Sequence, residues 1–419
     1  MRRAKWRGAI TLLVTALLLA ITLMLVLGSY RATLYQIKRA QNEIETRQDH
    51  WRAEGGLECV YTQFKLADGL PGTLQPCLFT TPVVLTLEPL ANGYLVSARS
   101  HYLSLSKTIL TSGALQPGAM QSSADLYFHS SATFSTPDPG ALTADGWQCI
   151  ALRYRSRFYA AVVDNKGIVH GVPPYADFNN PDGKECINLE GNDHLSSLIG
   201  GIGIGVGRDF VLDPDVSPFE AYFGVPVTEH NTVRDSGEFT VISGSGSPKT
   251  VSHCGTKLAS EIDAGNTRVW LEGGCEIESS EYNALVDATQ TTQGVTILVH
   301  DGLMSIMGKP ELGASAHPFK GVLFHFNVDY QPTVADWAAF AANAYLNHAS
   351  SPIENSYRTA ASYYQHGAFA VSGGQFFDAE GQAAIFFNSL DFRFNKDVID
   401  ESRKPFNTVK WRKGSWNDL

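Results

Sequence analysis

The sequence predicts an α+β protein with one long N-terminal helix followed by two β-rich regions. Residues 9–28 form an apolar run that contains no charged side chain. The residues that follow place apolar side chains at helical spacing among charged ones. The rest of the 419-residue chain has 38 glycines, 11% aromatic residues and short runs of alternating polarity. That composition is typical of a β-rich exported protein.

The apolar run from Ala9 to Gly28 has the length of a membrane-spanning helix. At about 1.5 Å per residue it covers a hydrocarbon core of roughly 30 Å. The basic residues before it, with no acidic residue among them, predict a cytoplasmic N-terminus. A cleaved secretory signal ending before Ser29 is an alternative, although the run exceeds the usual ~7–15 residues. A simple uncleaved anchor is a second alternative.

The segment after Gly28 continues the helix in amphipathic form. It contains neither glycine nor proline before Gly55. Apolar side chains recur among charged ones at Leu34, Ile37, Ile44, Trp51 and Ala53. We therefore predict one helix over residues 9–55, on the order of 70 Å long.

The first sixty residues resemble the type IV pilin superfamily. The matching features are a short basic leader ending in Gly8, an apolar helix starting at Ala9, its amphipathic continuation, and the AEGGLEC segment at 53–59. The likeness is closest to minor pilins with a PilX-type N-terminal segment. It implies that a prepilin peptidase cuts after Gly8, and that the mature helices bundle in the core of a filament.

Leu13 departs from the pattern of the major pilins. Those proteins usually carry a glutamate at the fifth mature position, and a buried carboxylate needs a partner. Leu13 fits a subunit with no neighbour above it, like the pseudopilins at the tip of type II secretion filaments. It fits equally well a protein that never enters a filament.

Charge and cysteine content restrict the partners and the compartment. The net charge of −10 argues against nucleic acid as a partner. None of the six cysteines forms a C-x-x-C unit, and an export segment favours disulfides over reduced thiols. Sequential pairing is the simplest connectivity, and each bridge would add about 3 kcal/mol. The predicted pairs are Cys59/Cys77, Cys149/Cys186 and Cys254/Cys275.

Residues 56–240 are predicted to form a pilin-like β-rich head. Alternating runs predict paired strands at 83–90 and 93–103. Further strands are predicted at 147–164 and 166–172, and residues 116–146 are predicted to be a long loop or an insertion. A Gly/Ser-rich loop at 243–248 marks the predicted boundary.

Residues 241–419 are predicted to form a second β-rich domain. Short apolar runs recur at 267–277, 294–308, 320–330, 367–377 and 383–395. Such runs suit strands buried by stacking on similar strands. A short, irregular parallel β-solenoid is the preferred interpretation, and a β-sandwich is the alternative. Residues 334–349 have a helical composition.

No motif in the chain requires catalysis, a metal or a cofactor. The glycines of residues 201–207 lack the setting of a phosphate-binding loop. The acidic groups miss the spacing of a calcium loop, and solvated turns are the default for them. The strand-end carboxylates and the three histidines lack catalytic or ligand spacing. These candidates are Asp177, Asn179, Asp182 and Glu185; Asp213 and Asp215; Asp301, Asp329, Asp378 and Asp391; and His300, His317 and His325.

The leading hypothesis is a low-abundance minor pilin or pseudopilin that is not an enzyme. Its partners would be other major and minor pilins, contacted through the N-terminal helix, and the prepilin peptidase. It would lie in the inner membrane with a periplasmic head before assembly, and at the pilus or cell surface afterwards, where adhesion is a further expectation. One alternative is a membrane-tethered carbohydrate-active β-solenoid enzyme. The other is a structural envelope protein with a conventional anchor.

Overall fold

The computed structural model divides the chain into two compact units. Unit 1 comprises Met1–Glu88, Leu95–Ile109 and Trp411–Leu419, and unit 2 comprises Pro89–Tyr94 and Leu110–Lys410. The boundary predicted at 240/241 is therefore wrong, because almost all of unit 2 is inserted between two parts of unit 1. The structure describes residues 5–67, 70–71, 73–77, 83–90, 93–111, 118–140, 142–187, 194–195, 209–308, 317–367, 369–388, 390–406, 409–412, 414–415 and 417–418.

The described residues form one long helix, several short helices and many short strands. The helices are α1 (Lys5–Leu66), α2 (Pro218–Phe223), α3 (His230–Arg234), α4 (Cys254–Asp263), α5 (Tyr282–Gln290), α6 (Asn343–Leu346), α7 (Asn355–Thr359) and α8 (Lys396–Arg403). Short 3₁₀ helices lie at Gln75–Cys77, Val227–Glu229, Asp336–Ala339 and Lys404–Phe406. The strands are β1 (Val84–Leu90), β2 (Gly93–Ser100), β3 (Leu103–Thr111), β4 (Met120–Ser122), β5 (Asp125–Ser135), β6 (Leu152–Tyr154), β7 (Phe158–Asn165), β8 (His194–Leu195), β9 (Phe210–Leu212), β10 (Thr240–Ser243), β11 (Thr250–Val251), β12 (Arg268–Glu272), β13 (Gly274–Ile277), β14 (Val295–His300), β15 (Met304–Met307), β16 (Gly321–Phe326), β17 (Ala361–His366), β18 (Gln375–Asp378), β19 (Ala383–Phe387), β20 (Leu390–Arg393), β21 (Val409–Trp411) and β22 (Asn417–Asp418).

In unit 1, the C-terminal part of α1 packs on a small sheet. The sheet has the order β1-β2-β3-β21, and β22 also pairs with β3. The helix does not end at residue 55 as predicted but continues through Gly55 and Gly56 to Leu66. Gly56 permits close packing, since a Cβ there would lie 3.1 Å from side-chain atoms of Val83 and Leu85. The buried helix residues are Ala53, Leu57, Val60 and Phe64.

The C-terminal tail completes unit 1. The ring of Trp411 stacks on Tyr61 with a centroid distance of 4.8 Å. The Ser415 hydroxyl accepts a hydrogen bond from the Thr108 amide at 3.0 Å. The last strand, β22, pairs antiparallel with β3. The tail is therefore an integral part of the sheet that faces α1.

Unit 2 is built on two sheets, and most successive strands of the chain belong alternately to one sheet and to the other. Within the described residues, the first has the order β10-β12-β14-β16-β18-β4-β6-β9, and its pairs are parallel. The second has the order β11-β13-β15-β17-β19-β5-β7-β8, with β20 also on β5. In the second sheet only the two-residue β8 is antiparallel to its neighbour. A strand of one sheet is usually followed by a strand of the other, so the sheets grow together.

The core of unit 2 fills the space between the sheets and extends over their faces. Phe377 in β18 contacts Tyr363 in the second sheet, with ring centroids 4.7 Å apart. Its neighbour Phe376 contacts Tyr222 of α2 at 5.3 Å. Because successive strand residues point to opposite faces, the first sheet is covered by protein on both sides.

The chain crosses the first sheet once in a segment that we name the strap, residues 213–239. The strap leaves β9 at one edge of the sheet and enters β10 at the opposite edge. From β10, the strands β12, β14, β16 and β18 follow one another across the sheet, and β18 pairs with β4. An early strand and a late strand of unit 2 are thus neighbours.

Several local predictions before residue 250 are wrong. Residues 116–146, predicted to be a long loop or an insertion, lie in the inserted unit 2 and contain β4 and β5. The run 147–164 supplies β6 and β7 to unit 2 and not to the sheet of unit 1, and 166–172 contains no strand. Residues 243–248 lie at a turn closed by Ser245 and Thr250 and do not form a boundary. In the described pairings, none of β4, β5 and β6 pairs with the strand next to it in sequence, so local patterns could not place them.

The apolar runs after residue 266 do form strands. The runs 267–277 and 294–308 each contain two strands, and the other three contain β16, β18, and β19 with β20. Residues 334–349 form only a 3₁₀ turn and the four-residue α6 instead of one helix. They belong to an insertion between β16 and β17, in which Trp337 donates a hydrogen bond to the Ala361 carbonyl at 3.0 Å.

The six cysteines are paired in sequential order. The Cα atoms are 5.6 Å apart in Cys59–Cys77 and Cys149–Cys186, and 5.5 Å apart in Cys254–Cys275. The first bridge joins α1 to the following 3₁₀ turn, and the third joins α4 to β13. Each bridge lies within one unit.

Candidate functional site

The N-terminal part of α1 is a fully exposed apolar helix. By length and composition this helix could span a membrane, and none of its apolar window is buried. Its hydroxyl groups are satisfied within the helix: Thr15 donates to Leu12 O, Thr22 to Leu18 O, and Ser29 to Val26 O, each at 3.0 Å. A helix in hydrocarbon requires such internal satisfaction of polar groups.

The predicted processing residues lie inside the helical range. Gly8 and Ala9 both fall within α1. Leu13, at the fifth position after Gly8, is 65% exposed. The proposed cleavage point therefore lies on a helix.

A second apolar stripe on α1 lies beyond the membrane-sized run and is also exposed. Leu34, Ile37, Ile44 and Trp51 are 39%, 47%, 56% and 75% exposed, respectively. With Gln41 and Gln48 they recur at alternating intervals of three and four residues, which keeps them on one helix face. We name these six residues the α1 seam.

The face of α1 that packs on the sheet is a different one. Ala53, Leu57, Val60 and Phe64 are fully buried in unit 1. The sequence pattern placed Ala53 in one series with Trp51, but the two side chains point to different faces. The spacing in the sequence already distinguished the two helix faces. One face carries residues 34, 37, 44 and 51, and the other carries residues 53, 57, 60 and 64.

Polar contacts fix α1 to the β2–β3 turn near the end of the seam. Asp49 Oδ1 accepts hydrogen bonds from Ser100 Oγ at 3.0 Å and Arg52 Nη1 at 3.1 Å, and lies 3.1 Å from His101 Nδ1. Burial would raise the pKa of Asp49, but the bonds from His101 and Ser100 outweigh it and lower that pKa. The exposed helix is thus held to the sheet at residue 49, just before the helix becomes buried.

Three of the four strand-end carboxylates form structural hydrogen bonds, and the fourth, Asp329, is exposed. Asp301 Oδ1 accepts from the amides of Val328 and Asp329 at 2.8 and 3.1 Å. Asp378 is buried and accepts from Ser123 Oγ at 2.8 Å and from the Phe219 amide at 2.9 Å. Asp391 accepts from Arg393 Nε at 3.0 Å. These bonds hold turns, strand ends and the strap in place.

The three histidine candidates do not converge. His300 and His325 are buried, whereas His317 is exposed. Burial lowers the pKa of both His300 and His325 to about 4. His325 Nε2 lies 2.9 Å from the Gly302 carbonyl, its hydrogen-bond acceptor. Among the described residues, no group of three or more His, Cys, Asp or Glu side chains could hold a metal ion.

The acidic candidates of the first region lie in turns. Asp177, Asn179, Asp182, Glu185 and Asp215 are exposed or half-buried. Asp213 is half-buried and lies 3.6 Å from Arg153 Nη1. The glycines of residues 201–207 lie outside the described residues.

Glu185 lines a surface cavity of 470 Å³ between two loops of unit 2. The cavity is also lined by Lys166, His170 and Lys184. The Lys184 ammonium group donates to the carbonyls of Thr143 and Ala144 at 3.2 and 2.8 Å. That cation is therefore engaged in holding the loops together.

Comparison with protein-family models, with curated proteins and with solved structures found no match.

Proposed function

We propose that the protein is a low-abundance, pilin-like subunit whose N-terminal helix is held in the inner membrane and packs against the helices of other subunits. The observation that carries this proposal is the continuity of α1. One helix runs from the apolar segment through an exposed amphipathic stretch to a buried end on a sheet. A simple anchor needs only a span, whereas this chain carries a rigid exposed rod beyond it.

The two units support a role at low copy number. Unit 2 contributes a large insertion to the small helix-and-sheet unit 1. A head of that size is difficult to repeat along a densely packed filament. We therefore propose a position at the filament tip, where Leu13 needs no partner above it, and exposure of unit 2 at the cell surface, where it would serve in adhesion.

We also propose that unit 2 is a β-solenoid. In support, strands alternate between two sheets, and the described strands of each sheet, apart from the antiparallel β8, stack in parallel with nearly constant register. A solenoid by itself does not make an enzyme. Three of the four carboxylates that an enzyme hypothesis would use, Asp301, Asp378 and Asp391, are engaged in hydrogen bonds that hold the fold, so an enzyme is not the function that we propose.

N-terminal sequencing of the protein purified from its own envelope tests the proposal. We expect Ala9 as the first residue, since the resemblance to pilins implies cleavage after Gly8. Replacing Gly8 with leucine should abolish this processing, and the matched change Gly28→Leu should leave it intact. An intact Met1 or a mature chain that starts at Ser29 would refute the pilin-type route.

A further inference from the structure

The α1 seam combines exposed apolar residues with the spacing of a coiled-coil interface. Leu34, Gln41 and Gln48 occupy one heptad position, and Ile37, Ile44 and Trp51 the other. Alternating intervals of three and four residues define the two core positions of a parallel coiled coil. The seam is about 27 Å long at 1.5 Å per residue. The seam is not covered by unit 1, and Trp51 is one of the most exposed apolar side chains of the helix.

We propose that the α1 seam binds one amphipathic helix of a different membrane-anchored protein as a parallel, heteromeric coiled coil. The inference deepens the proposed function by naming the partner surface outside the bilayer. It rests on membrane insertion of residues 9–28 but not on cleavage after Gly8.

The position of the seam determines the orientation of the partner. α1 is continuous, so the seam begins within two helical turns of Gly28. A helix that lies along it reaches back to the membrane surface. If that helix continues into its own span in the same bilayer, the two helices run parallel.

Charge at the flanks of the seam favours a different protein over a second copy. In a parallel coiled coil, the residue before one core position faces the residue after a core position on the partner. For two copies in register, this places Arg47 opposite Arg52, and Ala40 opposite Glu45. The side chains of Arg47 and Arg52 are 74% and 35% exposed, and each is paired with an acid of its own helix, Glu43 at 2.8 Å and Asp49 at 3.1 Å. Two such arginines facing each other add no attraction between copies. Because a guanidinium carries five N–H donors, an acidic residue on a partner can still bond to each of them, which favours a different protein.

The two glutamines refine the chemistry of the partner. A polar side chain at a core position restricts register and partner choice at a cost in stability. Gln41 and Gln48 are both exposed and seven residues apart. We therefore expect amide or small polar side chains opposite them and apolar side chains opposite Ile37, Ile44 and Trp51.

Site-specific photo-crosslinking of the full-length chain in its own cells tests the inference. A benzophenone amino acid is placed at Ile44 or Gln48 in the seam, and at Asn42 or Thr46 on other faces of the same exposed turns. We expect an adduct with one protein, mapped by mass spectrometry to its membrane-proximal helix, from the seam positions only. Equal adducts from all four positions, adducts only between copies of this chain, or no adduct would each overturn the proposal.

Two substitutions sharpen the test. Trp51→Ala should reduce the adduct formed from Ile44 by roughly tenfold, as expected for loss of an interface tryptophan. Arg47→Glu should also reduce the heteromeric adduct, because the introduced carboxylate would face acidic residues. In a homodimer the same change would instead place that carboxylate opposite Arg52 and increase the adduct. Arg39→Glu is the matched control, since Arg39 is exposed on another face of α1 and should have no effect.

The outcomes separate this inference from the proposed function. Ala9 at the mature N-terminus without face-dependent crosslinks would support the pilin-type route and overturn the seam. A face-dependent heteromeric adduct from a chain that retains Met1 would support the seam and overturn that route.

Discussion

Single buried polar residues of unit 2 join parts of the chain that lie far apart in sequence. Asp378 is the main example, because its two oxygens accept bonds from Ser123, 255 positions away, and from the Phe219 amide in the strap. Burial raises the pKa of Asp378, while the Phe219 and Ser123 bonds oppose that shift. A group that is desolvated and doubly bonded in this way tolerates substitution poorly.

Asp378→Asn should lower the free energy of unfolding by about 1–3 kcal/mol, because an amide offers one acceptor oxygen where the carboxylate offers two. Chemical denaturation of the full chain in detergent measures this loss. Asp391→Asn is the matched control, since the Asp391 side chain is 38% exposed and its change should cost less. Equal stabilities for the two variants would contradict the assigned role of Asp378.

His325 makes stability depend on pH. Burial lowers its pKa from 6.5 to about 4, so the unfolded chain binds a proton more readily than the folded one. The resulting stability is present above pH 6.5 and is lost as the pH falls towards 4. The full difference amounts to about 3 kcal/mol.

Replacing His325 with glutamine tests this dependence, since the amide can still donate to the Gly302 carbonyl but does not titrate. The stability of the wild type should fall relative to His325→Gln as the pH decreases from 6.5 to 4. Denaturation curves at several pH values measure the difference. Parallel pH profiles would show that His325 does not contribute.

At the scale of elements, close contacts between successive turns keep the two sheets of unit 2 together. The turn after β14 contains Asp301, with a φ of 50°, and Gly302. Gly302 lies against the backbone of the preceding turn, where a Cβ would be 2.7 Å from Gly274 Cα. The Gly302 carbonyl also accepts the bond from His325.

Gly302→Ala should therefore destabilise the protein by about 1–3 kcal/mol, since neighbouring backbone cannot easily move away. Gly55→Ala is an informative control, because Gly55 lies in α1 with nothing within 4 Å of its Cβ position. That change should stabilise the helix by up to ~1 kcal/mol. Thermal unfolding of both variants should give shifts of opposite sign, and a neutral Gly302→Ala would contradict the close packing.

Elements with a strong local signal could be predicted from the sequence, and those defined by distant partners could not. The apolar α1 segment and strands such as β14 and β16 carry long apolar runs, and the sequential cysteine pairs are close in the chain. In contrast, β4 has three residues and pairs with β18 and β6. The sequence around β4 therefore does not predict a strand. The alanines of 334–349 suggested a helix, but Trp337 and Phe340 pack into a buried cluster and the helix is broken.

The candidate site was predicted in part for the same reason. The sequence named all four apolar residues of the seam but combined them with Ala53, because the sheet that buries Ala53 is formed partly by the C-terminal tail. The roles of Asp301 and Asp378 depend on contacts with distant turns and strands. A local motif search therefore could not distinguish a structural carboxylate from a catalytic one.

At the scale of the whole molecule, the strap allows the end of the insertion to pair with its beginning. β18 and β19 pair with β4 and β5, so the late strands cover the early ones. Unlike a linear repeat array that can open from one end, this unit should open cooperatively.

Native-state hydrogen exchange tests this cooperativity. The amides of β4–β5 and β18–β19 should exchange with the same free energy of opening. The reason is that β4 pairs with β18 and β5 pairs with β19, so neither pair of strands can open without exposing the other. The exposed turn at 177–183 provides an internal reference that should exchange early. A much lower opening free energy for β4–β5 alone would contradict a single closed unit.

The return of the last strands to unit 1 has a consequence for biosynthesis. The sheet on which α1 rests needs β21 and β22, which are synthesised after the whole insertion of unit 2, so the domain encoded first is completed only after that insertion has been translated. Until then, Leu57, Val60 and Phe64 lack part of the sheet that covers α1 in the finished unit. A nonsense codon at Val409, which removes β21 and β22, should consequently damage the N-terminal domain while sparing most of the insertion.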